Sequence, residues 1–483
     1  MRVGTGDIPD YTIHHTLFAR QAVFVGDNWD IVELVSYLYC NSGILNDYED
    51  SFEEAIAHHA DAHPKRELRI RAYAELCTDG LINKCKDPWL RGIRAKVKRE
   101  EVAKPGTIKK PGIPRLIMDL GVSASLRGFR LTELMKQAMY ACPIEVGGGV
   151  IKFCKSPNLH DLHDIFHQLI SPAGRFFFLY FSDDSCLAIR IRGEVLRYNL
   201  DISKCDASHG PPIFRVLRRL FPEWCREDLD ILVEQCNAPF VIQDLIDRKN
   251  RVILKPEQEH LYSGSTLTTV TNNVACILLG LALSKIPEAD WSKATIEEAA
   301  ASVGYVLTGT SPVERIEDLQ FLKHSPIRDD CGVYRPLLNL GPFLRASGYC
   351  KGDLPGRGEL SVRARDFQIG LVRGAFPRTI IPFLEVHARA LGAPTREETV
   401  AIAAKTFASK VSSDDKYPIW RVDETSLQSR YRLSDLHWAE LYHWAEHVGY
   451  GQVYNSEAAG LILNTDYGLS MCDEDRYTYH PQF

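Results

Sequence analysis

The sequence predicts an α+β fold in which a short antiparallel sheet carries clustered carboxylates between longer helical stretches. Three observations lead there. The apolar run Phe176–Phe181 stops abruptly at Ser182-Asp183-Asp184, and a second acidic pair, Asp201 and Asp206, begins 17 positions later (201 − 184). Between them the pattern turns twice: Leu187–Ile191 reads as a return strand, Arg192-Gly193-Glu194 as a tight turn, and Val195–Ile202 as a third strand ending on Asp201. Before and after this block the apolar spacing is mostly helical. Adjacent strands joined by short turns bring Asp183 and Asp184 beside Asp201 whatever the rest of the chain does.

Size and charge set the frame. A chain of 483 residues exceeds one core of roughly 100–200 residues, so several subdomains are expected. With 45% hydrophobic and 25% charged residues it has the composition of an ordinary globular protein. Val274–Leu283 is an apolar run well short of the ~20 residues of a membrane span, and Met1–His15 has no secretory pattern, so no direct membrane span is expected. Thirteen cysteines without a C-x-x-C pair suit reduced, buried thiols. The net charge of −6 excludes indiscriminate coating of nucleic acid. Against it stands one basic stretch, Arg91–Arg115, where nine bases meet Glu100 and Glu101 for a local net of 9 − 2 = +7. Such a run can be a solvated face; concentrated against the global sign, it points to phosphate binding.

In chain order, Ile31–Tyr39 and Ser51–Ala60 read as helices. His58, His59 and His63 lack ligand-spaced support and read as a solvated helix end. Lys104-Pro105-Gly106 and Lys110-Pro111-Gly112 punctuate a loop leading to a strand at Arg115–Met118, and Gly147-Gly148-Gly149 is a turn without the Gly-Lys-Ser/Thr of a P-loop. Asn158–Ile170 is an amphipathic helix with His160, His163 and His167 along one side; like His437, His443 and His447, these read as helix-face histidines. Ile213–Leu220 and Arg226–Gln235 are helical, Phe240–Leu245 and Arg251–Leu254 pair as strands, and Ser263 opens a long apolar helix through Leu283. Thr295–Val306 reads as a helix, Leu319–Leu322 as a short strand, and the chain beyond Pro336 as mostly helical. Asp329-Asp330 and Asp414-Asp415 read as surface pairs.

Carboxylates closing an apolar strand are costly unless a cation compensates. Asp183 and Asp201 therefore suit a pair of hard divalent ions, with Asp184 as an auxiliary ligand. Two ions about 3.5–4 Å apart are what nucleotidyl transfer needs, one at the attacking 3′-hydroxyl and one at the leaving group. Downstream, Ser263, Gly264, Thr268 and Asn272 form an S-G-x3-T-x3-N pattern that is rare by composition.

Together these elements resemble the motifs of viral RNA-dependent RNA polymerases. Motif C (Ser182–Asp184) stands ahead of motif A (Asp201–Asp206) and motif B (Ser263–Asn272), the permuted order of permutotetravirus and birnavirus enzymes. The resemblance implies a right hand with an antiparallel palm sheet, helical fingers and a helical thumb. It implies a catalytic, metal-binding set of Asp183, Asp184 and Asp201 holding two Mg²⁺, with Mn²⁺ as a substitute. Asp206 and Asn272 would bond each other and the ribose 2′-hydroxyl, with Ser263 assisting, Gly264 lending flexibility and Thr268 completing the pattern. Lys98-Arg99-Glu100, Lys109, Lys110 and Pro114-Arg115 resemble motif F: Lys109, Lys110 and Arg115 would bind the triphosphate, and Lys98 the RNA. Phe321-Leu322-Lys323 resembles motif E, with Lys323 near the nascent strand. Gly304–Leu307 resembles the start of motif D, but Thr308 stands where many relatives place a lysine, so no general acid is named.

The implied layout is an N-terminal region and fingers at 1–170, palm at 171–209, a fingers insertion at 210–260, palm at 261–332, and thumb with C-terminal tail at 333–483. Expected partners are RNA template, nascent RNA, ribonucleoside triphosphates and other viral replication proteins. The expected location is a replication complex in the host cytoplasm, with the virion as a second one. A reverse transcriptase would share the acidic elements but lack the Ser-Gly/Thr/Asn pattern. A catalytically silent, palm-derived RNA-binding protein would have no use for the carboxylates.

Overall fold

The structure is a computed structural model and describes residues 29–47, 93–97, 116–120, 124, 128–243, 249–347, 354, 356–407, 411–412, 414–447 and 456–468. Helices alternate with sheets that are mostly antiparallel. The chain forms two compact units: Met1–Lys155, Gly174–Glu194 and Leu200–Ser311 make the first, and Ser156–Ala173, Val195–Asn199 and Pro312–Phe483 the second.

In chain order, the elements that build the first unit start with α1 (Trp29–Asn41), β1 (Ile93–Val97), β2 (Leu116–Asp119), α2 (Phe129–Ala141), β3 (Ile144–Val146) and β4 (Gly149–Phe153). After α3 (Leu159–Ile170), which belongs to the second unit, come β5 (Phe176–Phe181), β6 (Asp184–Ile191) and β7 (Glu194–Ile202), of which Val195–Asn199 is assigned to the second unit. Then follow α4 (Pro211–Leu220), α5 (Arg226–Gln235), β8 (Phe240–Gln243), β9 (Arg251–Leu254), α6 (Thr268–Ser284), α7 (Lys293–Ser302) and β10 (Leu307–Thr308). The main sheet has strand order β10-β7-β6-β5-β4-β3, with β4 parallel to β5 and antiparallel pairing in β3–β4, β5–β6 and β7–β10. A smaller sheet, β2-β1-β8-β9, carries the described part of the basic stretch, where Lys96 pairs with Asp119. Helix α6 packs on β5 and is buried throughout Val270–Ser284, apolar from Val274 to Leu283 and carrying Thr271, Asn272 and Asn273 in its first half.

Three expected boundaries move. Ser263 does not open the helix: Ser263–Leu267 forms a turn-rich loop and α6 begins at Thr268. The helix expected at Thr295–Val306 starts earlier, at Lys293, where Ser292 and Thr295 cap each other. It ends at Ser302, because Gly304 takes a left-handed φ of 88° that no helix continues. Leu319–Leu322 is not a strand either. Leu322 and Lys323 both have positive φ, 51° and 62°, and form the tight turn between Phe321 and a strand beginning at His324. Ser51–Ala60, the histidines at 58, 59 and 63, and the loop at 104–112 lie outside the described residues.

The second unit is built on the hairpin β11 (His324–Arg328) and β12 (Tyr334–Leu338), against which α3 packs. Around it lie α8 (Leu340–Ser347), α9 (Leu360–Ala375), β13 (Thr379–Ile380), α10 (Pro382–Leu391), α11 (Glu397–Ala404), β14 (Trp420–Arg421), α12 (Glu424–Tyr431), α13 (Asp435–His447) and α14 (Glu457–Tyr467). Phe343, Leu371, Phe383, Tyr417, Leu427 and Leu441 are among the residues of its core. Gly370 lets α9 and α11 meet closely: a Cβ there would lie 2.5 Å from the Val400 oxygen and from Ala403 Cβ. A buried pair, Arg430 and Asp466 at 2.8 Å, is completed by Tyr431 Oη and Gly341 N, both donating to Asp466. Asp329, expected at the surface, is buried; Arg335 and the Cys331 and Val333 amides satisfy it and hold its carboxyl below the usual range despite burial. Asp414 instead bonds His160.

One titration follows from this unit. His324 is buried, and desolvation pushes its imidazolium down to about 4 from 6.5, although its Nδ1 donates to Leu322 O at 2.8 Å. Below pH 6.5 the unfolded chain takes up a proton that the folded unit refuses until about pH 4, so stability is lost as pH falls through that window. Going from pH 7 to pH 5 should cost about 2 kcal/mol through this group, read as a lower urea midpoint that His324→Asn largely removes. A midpoint with the same pH dependence in the variant would assign the loss elsewhere.

Candidate active site

The register of β5 and β6 pairs Phe181 with Asp184, so the connecting turn is the two residues Ser182-Asp183. Ser182 has φ 53°, at a position where two-residue hairpins usually place glycine. Such backbone persists only when its surroundings over-determine it, and here α6 does so. Ser182 N donates to Asn273 Oδ1 at 2.7 Å, Asn272 Nδ2 donates to Ser182 Oγ at 3.0 Å, and the Cys276 thiol donates to Ser182 O at 3.1 Å. The strained turn is thus clamped by one buried helix face.

Strand β7 brings the next carboxylate. Ser185 Oγ donates to Leu200 O at 3.0 Å, joining β6 to β7 one residue before Asp201. Thr308 pairs with Asp201 across β10 and β7, and its hydroxyl lies 3.3 Å from Asp201 Oδ2. The residue standing in place of a motif D lysine therefore touches a candidate metal ligand. Burial first, and then the charges of Asp183, Asp184 and Asp201, push the Cys276 thiol well above its usual range, so all three carboxylates act on one buried point. The carboxylates themselves are not buried as expected. Asp183 and Asp184 are half-buried and Asp201 is exposed.

Three oxygen donors suit Mg²⁺, which keeps several waters and prefers few carboxylates alongside phosphate oxygens. Among the described residues, the trio with ligand atoms all within 4.8 Å is Asp329, Asp330 and Cys331, so Asp183, Asp184 and Asp201 stand wider apart than that. Neither histidine trio forms such a group: His163 meets Tyr417 Oη at 3.0 Å and the His167 ring at 4.6 Å, and His443 stacks near His447.

Asp206 begins a short 3-10 turn just after β7. Asn272 Nδ2 donates to Asp206 Oδ1 at 2.9 Å, which joins the acidic element to α6. Ser263 Oγ donates to Leu116 O at 3.1 Å, and Gly264 lies against β2, where any Cβ would overlap the Met118 carbonyl oxygen. Glycine is needed there for close approach, rather than for the flexibility expected of it. The Thr268 hydroxyl lies on the Tyr262 and Ser265 carbonyls and ties the loop to the first turn of α6. The first unit thus carries Asp183, Asp184, Asp201, Asp206, Ser263, Gly264, Thr268 and Asn272. Lys323 is exposed at a turn of the second unit, and Lys98, Lys109, Lys110 and Arg115 lie outside the described residues.

One participant is not marked by any of the sequence motifs. His209 is buried, with Nε2 2.8 Å from Asn272 Oδ1 and Nδ1 3.1 Å from Tyr305 Oη. A histidine three residues past Asp206, beside the helix-starting Gly210-Pro211, was the available signal, but its partners lie 63 and 96 residues away. The described cysteines are all free, and no described helix is long and apolar enough to cross a membrane.

No protein-family model matches this sequence, and no curated protein does. Among solved structures, the chain is similar to the birnavirus VP1-VP3 complex, with a TM-score of 0.40 and 13% identity over 68% of this chain and 46% of that one. It is similar also to the RNA polymerase VP1 from Infectious Pancreatic Necrosis Virus, again with a TM-score of 0.40 and 13% identity, over 95% of this chain and 60% of that one. The chain thus spans about half the length of these two. Both come from birnaviruses, one of the two virus groups whose permuted motif order the sequence resembles. Overlap of this degree assigns no activity and no residue role to the chain.

Proposed function

We propose that the chain is a viral RNA-directed RNA polymerase working by two-metal nucleotidyl transfer. The observation that carries the reading is the Asp206–Asn272 bond, with Asn272 donating also to Ser182 in the turn that carries Asp183 and Asp184. Carboxylates alone would suit many metal-dependent reactions. A carboxylate oriented by a buried amide beside them suits recognition of a ribose hydroxyl, which distinguishes RNA precursors from DNA ones.

In this reading the six-stranded sheet and α6 form the palm, 210–260 belongs to the fingers, and 333–483 is the thumb. Asp183, Asp184 and Asp201 would hold two Mg²⁺, or Mn²⁺, whose chemistry there is to activate the 3′-hydroxyl and steady the departing pyrophosphate. Asp206 would accept a hydrogen bond from the ribose 2′-hydroxyl. Ser263 and Gly264 would set the loop beside β2, so that Arg115, the residue before that strand, reaches the triphosphate with Lys109 and Lys110. Lys98 and Lys323 would lie along RNA backbones. Thr308 cannot serve as a lysine would, so the pyrophosphate proton comes from water or another protonated side chain. RNA, ribonucleotides and further replication proteins of the same virus are the partners that fit, in the cytoplasm of the host.

The test is template-dependent incorporation of labelled ribonucleotides by the purified chain with Mg²⁺ or Mn²⁺. Incorporation that needs the RNA template and strongly prefers ribonucleotides is expected. No incorporation, or equal use of deoxynucleotides, would overturn the assignment. Asp206→Ala should bring ribo- and deoxynucleotide use closer together by about tenfold or more, the worth of at least one hydrogen bond to a charged group. Unchanged selectivity would remove Asp206 from ribose recognition.

A further inference from the structure

We infer that His209 is a positioning residue for ribose selection: it fixes the Asn272 side-chain amide in the orientation that turns its NH2 toward Asp206. This rests on the polymerase reading above and adds to it a residue that meets no substrate.

The two ends of an asparagine amide are nearly isosteric but opposite in character, one accepting and one donating. Asn272 is buried and contacted on both ends. Its Nδ2 lies 2.9 Å from Asp206 Oδ1 and 3.0 Å from Ser182 Oγ, and its Oδ1 lies 2.8 Å from His209 Nε2. An ionised carboxylate only accepts, so the NH2 must face Asp206 and the carbonyl must face His209. The carbonyl then requires a donor, which puts a proton on Nε2. Nδ1 lies 3.1 Å from the Tyr305 hydroxyl. The result is a chain in which His209 donates to Asn272 and Asn272 to Asp206, with Tyr305 Oη on the far side of the ring. The Cys205 sulfur, 3.5 Å from Nε2, is a weak acceptor beside the same N–H and does not reverse it.

The backbone holds the ring in place. Gly210 and Pro211 start α4, so the 3-10 turn stops at Ser208 and His209 is extended, with φ −87° and ψ 123°. Its carbonyl accepts from Leu261 N at 3.2 Å, two residues before Ser263. With both N–H groups of Asn272 committed to Asp206 and Ser182, the amide serves to orient rather than to read. Without His209, the buried carbonyl of Asn272 has no donor. The amide can then turn over and present Oδ1 to the Asp206 carboxylate, which spoils the acceptor that would meet the 2′-hydroxyl.

The experiment compares ATP and dATP on a poly(U) template, using the full chain and the variants His209→Leu, His209→Gln and Tyr305→Phe, each with its melting temperature. For His209→Leu the ratio of kcat/KM for ATP over dATP should fall about tenfold, through a higher KM for ATP, which is roughly one hydrogen bond to a buried group. His209→Gln keeps an N–H donor and should recover most of the ratio. Tyr305→Phe, which frees the tautomer without emptying the site, should lower the ratio by a smaller factor. Equal losses for both nucleotides with no recovery in the glutamine variant would make His209 merely structural and overturn the inference. If His209→Leu does not fold and so yields no ratio, an unchanged ratio in Tyr305→Phe would overturn it. A wild-type chain that uses neither nucleotide overturns the polymerase reading and this inference together, whereas an active wild type with an unchanged ratio in His209→Leu overturns the inference alone.

Discussion

Asp201→Ala and Asp183→Ala are each expected to lower ribonucleotide incorporation about 10³-fold, since losing several kcal/mol of charge stabilisation at a metal site costs roughly a factor of ten per 1.4 kcal/mol. Both should keep nearly the wild-type melting temperature. Asp201 is exposed, Asp183 is half-buried, and the backbone around them is held by other groups: Ser185 Oγ on Leu200 O, and three bonds from α6 to Ser182. Substitutions at such positions normally change stability by less than about 0.5 kcal/mol. Asp184→Ala should cost less activity than either if Asp184 is an auxiliary ligand. Measuring kcat/KM with Mg²⁺ alongside thermal unfolding separates lost chemistry from lost fold. Either variant within tenfold of wild type would take that residue out of the metal site.

Gly264→Ala should be the most damaging change to the nucleotide loop. A Cβ at Gly264 would overlap the Met118 carbonyl oxygen and stand 3.0 Å from its carbon, and backbone in a paired strand cannot give way as a side-chain tip can. Overpacking of this kind costs about 1–3 kcal/mol. The loop must lift from β2, and the Ser263–Leu116 bond goes with it. Nucleotide KM should therefore rise about tenfold or more, at roughly 1.4 kcal/mol of lost positioning per factor of ten. Ser263→Ala, which removes the bond but keeps the close approach, should show a smaller share of both effects. A Gly264→Ala chain with wild-type melting and KM would mean that this contact is not required.

Strands β2 and β5 to β9 and most helices were legible in the sequence because their signals are local, whereas β1, β3, β4 and β10 to β14 were not read. Phe176–Phe181 has six apolar residues in a row, and α5 and β9 lie where their periodicity placed them. The errors came where local signals compete with contacts. Ser263-Gly264 reads as a helix start, but docking on β2 keeps that segment in a turn-rich loop and delays α6 to Thr268. Leu319–Leu322 reads as a strand, yet the left-handed pair Leu322-Lys323 puts the strand one turn later. Asp329-Asp330 reads as a surface pair because nothing local announces that Arg335 will cover the first of them.

The sequence by itself determined the chemical inventory: which carboxylates end the strands, their order along the chain, and the Ser-Gly/Thr/Asn pattern that accompanies them. Hairpin connectivity needs only short turns and alternating strands, and these are written within some 30 residues. Only the tertiary structure decided how that inventory is oriented. The αL turn at Ser182 is held by Asn272, Asn273 and Cys276, about 90 residues on; the amide of Asn272 is turned by His209, and His209 by Tyr305. Hydrogen-bond direction depends on what lies at each end of a buried group, and those ends are brought together by packing that no local pattern encodes.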